Sequence, residues 1–247
     1  MKHLFLIASL FSLVALTSCD LGDDSQVSGT YADSAAYLTA CVVENIDDAT
    51  KKEYYFLTDY DTKIFLADNQ MTTTVAFSEG QRIIGYFALI ESYLDDEGSL
   101  LEGAAYGCDY GMRLFDMSEV YTSESITVTT DEEEALLPDQ SLLYVYDSVG
   151  YSYDYINFTA GVMCENLGNM KLYLVENLSQ FTTILTTDYL NLELRFDSGS
   201  EDGVGTQSDV YISLDTSDFA EQLESKNGII VSVPTTNSGT ISIQVDK

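Results

Sequence analysis

The chain has 247 residues, 41 of them acidic and 10 basic, for a formal net charge of −31 at neutral pH. That balance excludes nucleic acid as a natural partner, since phosphate backbones are bound by lysine and arginine displacing counterions. It also repels anionic lipid headgroups, and suits solubility, divalent cations or a basic partner.

The start of the chain sets Met1, Lys2 and His3 before an apolar run from Leu4 to Leu16. Such a run matches a signal-peptide core and falls short of the ~20 residues a membrane-spanning helix needs. Leu16-Thr17-Ser18-Cys19 follows and resembles the lipobox of bacterial lipoproteins. The resemblance implies that residues 1–18 form a signal peptide and that Cys19 becomes the acylated N-terminus. Two or more acyl chains anchor stably where a single one binds only marginally. Asp20, Asp23 and Asp24 look like the acidic export signal that sends some Gram-negative lipoproteins to the cell surface; the alternative is a solvated, flexible tether over 19–30. Cleavage would leave 229 residues with nine basic side chains against 41 acidic ones, net −32, and no histidine, because His3 is the only one. A histidine-free chain cannot build a Ser-His-Asp triad or a Cys-His dyad, and it lacks the imidazoles of most catalytic zinc sites. Cys41, Cys108 and Cys164 are far apart and without C-x-x-C spacing, so buried free thiols are expected over a metal cluster, with at most one disulfide among them.

With 18 Tyr, 11 Phe and two Pro, the remainder reads as strand after strand. Strands are expected over 37–46, then over 53–67 as a hairpin around "TDYD". Further strands are expected over 80–94, with Gly85 at a bend or bulge, and over 110–121. Strands of this number and length suit a small closed barrel over 31–125. "TTDEEEALLPDQ" (129–140) is acidic and ends after Pro138; Thr130 and Glu133 have capping-box spacing for one helical turn. It reads as the core of a connector over 126–140. Strands resume over 142–148, 151–158, 170–177, 189–198, 209–215, 228–234 and 240–246. A short helix over 217–228 lies among them, with Asp218 and Glu221 as a capping box and Asn227-Gly228 as a left-handed exit. Seven short strands separated by turn residues indicate an antiparallel β-sandwich over 141–247.

This layout is similar to the NigD-like lipoproteins. The likeness is carried by "YYFLTDYDTKIFLA", by "GQRIIGYFALIESY" with its Gly-Gln-Arg turn into a long strand, by the acidic "TTDEEEALLPDQ", and by "YLNLELRFDSGSEDG". The chain departs from that family at Arg195-Phe196-Asp197, where the family tends to have Arg-His-Asn. The resemblance implies an all-β fold, an N-terminal OB-like five-stranded barrel followed by a C-terminal β-sandwich, and it implies no established enzymatic activity.

Three constellations bear on function. The barrel region mixes Lys51, Lys52 and Lys63 with Glu53, Asp59 and Asp61, so the basic groove needed for single-stranded nucleic acid is missing. Tyr151, Tyr153 and Tyr155 would share one strand face, either stacking on sugars or peptides or packing into the sandwich or a domain junction. Asp197, Glu201 and Asp202 offer calcium-type oxygens, but their spacing fails the EF-hand pattern, and loop solvation explains them as well. Paired carboxylates for glycoside hydrolysis arise by chance among so many acids. The expectation is therefore a non-catalytic outer-membrane lipoprotein, held by acyl chains on Cys19 and without a cofactor, acting as a binding module toward a protein or glycan. The alternatives are a carboxylate-dependent hydrolase and a purely structural accessory protein. Replacing Cys19 by Ala should release the protein from membranes or leave it unprocessed in a fractionation experiment; a mutant that stays in the membrane fraction at its mature size would contradict the anchor.

Overall fold

The computed structural model describes residues 34–44, 52–71, 76–90, 107–146, 149–152, 154–178, 188–200 and 204–247. Cys19, Asp20, Asp23 and Asp24, together with the expected signal peptide and tether, lie outside them. The first half holds β1 (Ser34–Glu44), β2 (Lys52–Thr58), β3 (Lys63–Asn69), β4 (Arg82–Ile90) and β5 (Tyr110–Thr122). Pairing runs β3-β2-β1-β4-β5, and β3 also pairs with β5 in parallel, so the ladder returns on itself. Leu38, Ala40, Phe56, Ile64, Phe77, Ile83, Phe87, Met112 and Leu114 fill its interior.

Two turns of this half place functional charges. In the β2–β3 hairpin, the Thr58 hydroxyl accepts from the Tyr60 and Thr62 amides at 3.2 Å each, and Asp61 adopts φ 56°, a conformation that Asp tolerates better than most residues. The turn leaves Asp59 at its first corner. Before β4, Gly80 takes φ 75° and donates to Ala40 O at 2.9 Å, while Ala40 N donates to Gln81 O at 2.8 Å; Arg82 enters the strand from that anchored turn. Gly85 was expected at a bulge, and the register shift lies one residue on: Tyr86 faces Asp116 whereas Phe87 faces Leu114. A Cβ at Gly85 would come within 2.6 Å of Leu38 Cδ1, so its bare backbone is where the core side chain of β1 packs.

The second half contains β6 (Glu124–Val128), a helical turn α1 (Asp131–Glu134), β7 (Tyr144–Val145), β8 (Gly150–Ser152), β9 (Tyr155–Cys164), β10 (Lys171–Asn177), β11 (Leu190–Asp197), β12 (Thr206–Asp215), a turn α2 (Ala220–Leu223), β13 (Gly228–Thr235) and β14 (Gly239–Asp246). A five-stranded sheet, β14-β13-β11-β10-β6, faces β12-β9-β7. Alternating apolar residues from both faces form one core, including Phe158, Val162, Leu174, Leu194, Phe196, Ile212 and Val231. The all-β reading holds, with a sandwich of mixed direction: β11–β13 and β10–β6 run parallel, because the chain crosses to the opposite sheet between their members.

Local readings fared unequally. The capping box forms as spaced, with the Thr130 side chain accepting from Glu133 N and Glu133 from the Thr130 amide. The one at Asp218 and Glu221 does not form. A 3-10 turn, Ser217–Phe219, leads into α2 with no side-chain cap, and Asp215 Oδ1 organises its start by accepting from Ser217 N and Oγ at 2.9 and 2.6 Å. Nor is Gly228 a left-handed exit. It opens β13, and a Cβ there would collide with the Val245 carbonyl oxygen. β6 occupies the beginning of the segment read as a connector and belongs to the second sheet.

The two halves meet through backbone and through charge. β5 continues past its own half and pairs in parallel with β12, Val120 opposite Tyr211 and Thr122 opposite Ser213. Beneath this seam Arg82 is 2% exposed. Its Nη2 lies 2.8 Å from Asp59 Oδ1, a charge contact out of line with the N–H. Its Nε donates to Ser213 Oγ at 3.1 Å, Nη1 to Thr39 Oγ1 at 3.0 Å and Nη2 to Asn157 Oδ1 at 3.3 Å. Asp59 Oδ2 accepts from Ser152 Oγ at 2.7 Å and Asn157 Nδ2 at 2.9 Å. The Tyr155 ring covers the guanidinium at 3.6 Å from its centroid, a cation–π contact of ~2 kcal/mol when desolvated. Asp59, Arg82 and Thr39 come from the first half; Ser152, Tyr155, Asn157 and Ser213 come from the second. Asp59→Ala strands a buried guanidinium and should lower unfolding free energy by about 3–5 kcal/mol in urea titration; a loss below about 1 kcal/mol, the scale of a surface pair, would contradict the burial.

Candidate functional site

One strand leads from the buried charge to an open concavity. On β12 the side chains of Val210, Ile212 and Leu214 enter the sandwich core, so Asp209, Tyr211 and Ser213 project from the opposite face. Ser213 belongs to the Arg82 cluster. Tyr211 comes next, with Tyr86 of β4 beside it, and Asp209 follows at the exposed end. The neighbouring strand β9 runs antiparallel with Asn157 beside Ser213, Thr159 beside Tyr211 and Gly161 beside Asp209. On its other side β7 pairs Tyr144 with Gly161, and the Tyr146 amide donates to Thr159 O at 2.9 Å.

These registers give two rows across three strands, Tyr144–Gly161–Asp209 and Tyr146–Thr159–Tyr211. Gly161 is essential to the first. Any Cβ there would overlap the Tyr144 ring, so the ring lies across bare backbone and its hydroxyl reaches Asp209 Oδ1 at 2.8 Å. The Tyr146 hydroxyl donates to Asp209 Oδ2 at 3.1 Å, and Gln207 Nε2 donates to the Tyr144 hydroxyl oxygen at 3.0 Å. The two rings stand at 84° with centroids 5.4 Å apart, an aromatic corner of favoured edge-to-face geometry. Tyr146, Thr159, Asp209 and Tyr211 line an open concavity of about 340 Å³. Tyr146 is 44% exposed.

The Tyr144 hydroxyl beside it and then the hydrogen bond to Asp209 push the Tyr146 hydroxyl up to about 12. Burial, with Tyr86 beside it, raises Tyr211. Both stay neutral at physiological pH, leaving Asp209 as the formal charge of the cluster. No basic side chain pairs with Asp209 among the described residues.

No protein-family model matches the chain, and no curated protein sequence does. Solved structures do. A protein of unknown function from Bacteroides vulgatus aligns over 87% of this chain and 91% of its own, with TM-score 0.60 and 18% identity. A NigD-like immunity protein from Bacteroides caccae aligns over 85% and 90%, with TM-score 0.54 and 13% identity. The chain has the NigD-like fold. A candidate lipoprotein from Bacteroides fragilis shares it over 86% of this chain and 95% of its own, with TM-score 0.53 and 13% identity. At such identities the likeness is one of architecture.

The NigD-like fold redistributes the residues singled out from sequence. Tyr151 and Tyr155 do not share a strand face. β8 and β9 form a tight hairpin with Tyr151 opposite Ile156 and Ser152 opposite Tyr155, so the two rings point to opposite sides. Tyr151 packs on the sandwich core, where burial raises its hydroxyl pKa; Tyr155 covers Arg82. Tyr153 lies outside the described residues. Asp197 Oδ1 accepts from the Gly199 amide at 2.8 Å, where Gly199 takes φ 69°; Glu201 and Asp202 lie outside the described residues. Cys41, Cys108 and Cys164 are free thiols, each pushed up by burial. Arg195, from the "LELR" motif, pairs with Glu193 at 2.8 Å and with Glu134 of α1 at 3.4 Å, tying the acidic turn to β11.

Tyr144, Tyr146, Asp209 and Tyr211 were not singled out from the sequence. The available signals were the Tyr-x-Tyr of "LLYVYDS", the Asp-x-Tyr of "DVYISLD" and a glycine inside the apolar "TAGVMC". Between pH 10 and about 12 the folded chain retains a Tyr146 proton that the unfolded chain releases, so the cluster's contribution is complete below pH 10 and lost as pH rises through 12. In spectrophotometric tyrosine titration, Tyr144→Phe should bring the Tyr146 transition down toward 10; an unchanged transition would show that Tyr144 does not hold it.

Proposed function

We propose that this chain is a non-catalytic binding module, anchored through acyl chains on Cys19 to the outer membrane of the cell envelope, that grips its ligand at the tyrosine corner beside Asp209. The observation that carries the reading is the concavity itself. Aromatic faces and one carboxylate are exposed together, on paired strands, with their hydroxyls already oriented. Rigid aromatic surface of this kind provides contact area at little entropic cost. The lipobox-like start supports the anchor, and the Bacteroides fragilis neighbour, itself a candidate lipoprotein, is consistent with an envelope location.

The hydrolase alternative requires two carboxyl groups facing across the substrate, whereas the residues lining the concavity include one acid, Asp209. The histidine-free composition of the cleaved chain removes the commonest general base.

The test is affinity capture from solubilised envelopes with the full-length acylated protein and its Tyr146→Ala and Asp209→Asn variants. The wild type should enrich a component that both variants retain at a level at least tenfold lower. Equal enrichment by all three would contradict the site, and turnover of a captured substrate abolished by Asp209→Asn would contradict the non-catalytic reading.

A further inference from the structure

The concavity carries information about the chemistry of its occupant, because the hydrogen-bonding capacity left over after its internal bonds is weighted toward acceptors around a negative charge. An ionised carboxylate has about four acceptor positions. Asp209 uses one for Tyr144 and one for Tyr146, which leaves two on an exposed residue. Both hydroxyls have given their protons to Asp209, so toward an incoming group their oxygens can only accept; the Tyr144 oxygen already takes Gln207 Nε2. With Tyr146 neutral, its ring retains its ordinary quadrupole, negative on the face. The corner of Tyr144 and Tyr146 therefore presents π faces and acceptors around a carboxylate that no basic side chain of the described chain neutralises.

We infer that the corner formed by Tyr144, Tyr146, Tyr211 and Asp209 is a receptor for a cationic side chain, a lysine or arginine presented by a basic polypeptide. The inference rests on the binding-module reading and deepens it by naming the ligand class. Lysine and arginine are donor-only groups and are attracted both to aromatic faces and to the carboxylate at their base. A neutral sugar hydroxyl, by contrast, gains nothing from the charge, and the donors it also seeks are outnumbered: the Thr159 and Tyr211 hydroxyls and the second Nε2 hydrogen of Gln207. The net charge of −31 acts in the same direction, concentrating cations near the surface and raising their on-rate. The long-range field brings the cation in; the corner is what holds it.

The experiment is calorimetric titration of the full-length acylated protein in detergent at physiological salt. The probes are an octalysine peptide, its fully acetylated counterpart and neutral maltohexaose. Octalysine should bind, and acetylation should abolish binding. Asp209→Asn and Tyr146→Ala should each weaken binding at least tenfold, while Tyr146→Phe, which keeps the ring face, stays within about threefold. Glu221→Gln, which removes the same unit charge from an exposed remote turn, should leave affinity unchanged. Thermal melts of the variants, all at exposed positions, should each show a single cooperative transition well above the titration temperature. Equal octalysine affinity for wild type and Asp209→Asn would reduce the attraction to the diffuse field and overturn the proposal. Absence of octalysine binding would overturn it as well. Maltohexaose binding that depends on Tyr146 would overturn the cationic assignment while leaving the binding-module reading intact; that reading falls only if envelope capture is also indifferent to Tyr146 and Asp209.

Discussion

A guanidinium sealed from water holds this molecule's two halves in register. Removing a cation from water costs several kcal/mol, a debt that Coulomb attraction offsets only with good geometry and further hydrogen bonds. Arg82 meets it with a carboxylate at 2.8 Å, three hydrogen bonds donated to other side chains, and a tyrosine ring over its face. Its partners come from the two halves, whose apolar cores are separate clusters. An apolar contact at this place would tolerate sliding; a fork of directed N–H bonds does not. The β5–β12 pairing covers only three residue pairs, one of which includes Ser213, an acceptor of Arg82.

The candidate site follows from the same alternation that builds the sandwich. β12 sends every second side chain into the core, and the remainder pass from Ser213, beneath the first half, through Tyr211 to Asp209 in the open. Where the first half covers that face, the strand carries small polar groups that satisfy Arg82. Toward its exposed end the strand carries one aromatic ring and a carboxylate. Tyr86, on β4, lies beside Tyr211 where the covered region gives way to the exposed one.

Much of the strand order was legible, because period-two alternation and turn residues are local properties. The "TDYD" hairpin and the Thr130–Glu133 capping box are of this kind, as each is specified by residues within one turn. What was not legible depends on pairing between distant segments. "GYSYDYINF" alternates like one strand, yet the chain reverses there and splits the tyrosines between faces; alternation alone cannot distinguish a strand from the two arms of a tight hairpin. Arg82 reads locally as a polar residue opening a strand, and only the fold shows it buried. The tyrosine corner needs β7, β9 and β12 side by side, with a glycine in the middle strand to let a ring lie flat. The mixed direction of the second sheet likewise depends on crossovers that no local pattern encodes.

Native-state hydrogen exchange tests most directly whether the buried charge makes one cooperative unit of both halves. The account predicts that the slowest amides of the first core, around Leu38 and Ile83, and of the second, around Ile212 and Val231, exchange with one common opening free energy in the wild type. It predicts that they separate into two classes when Arg82 is replaced by Met. Two classes already distinct in the wild type, or a single class surviving that replacement, would contradict it.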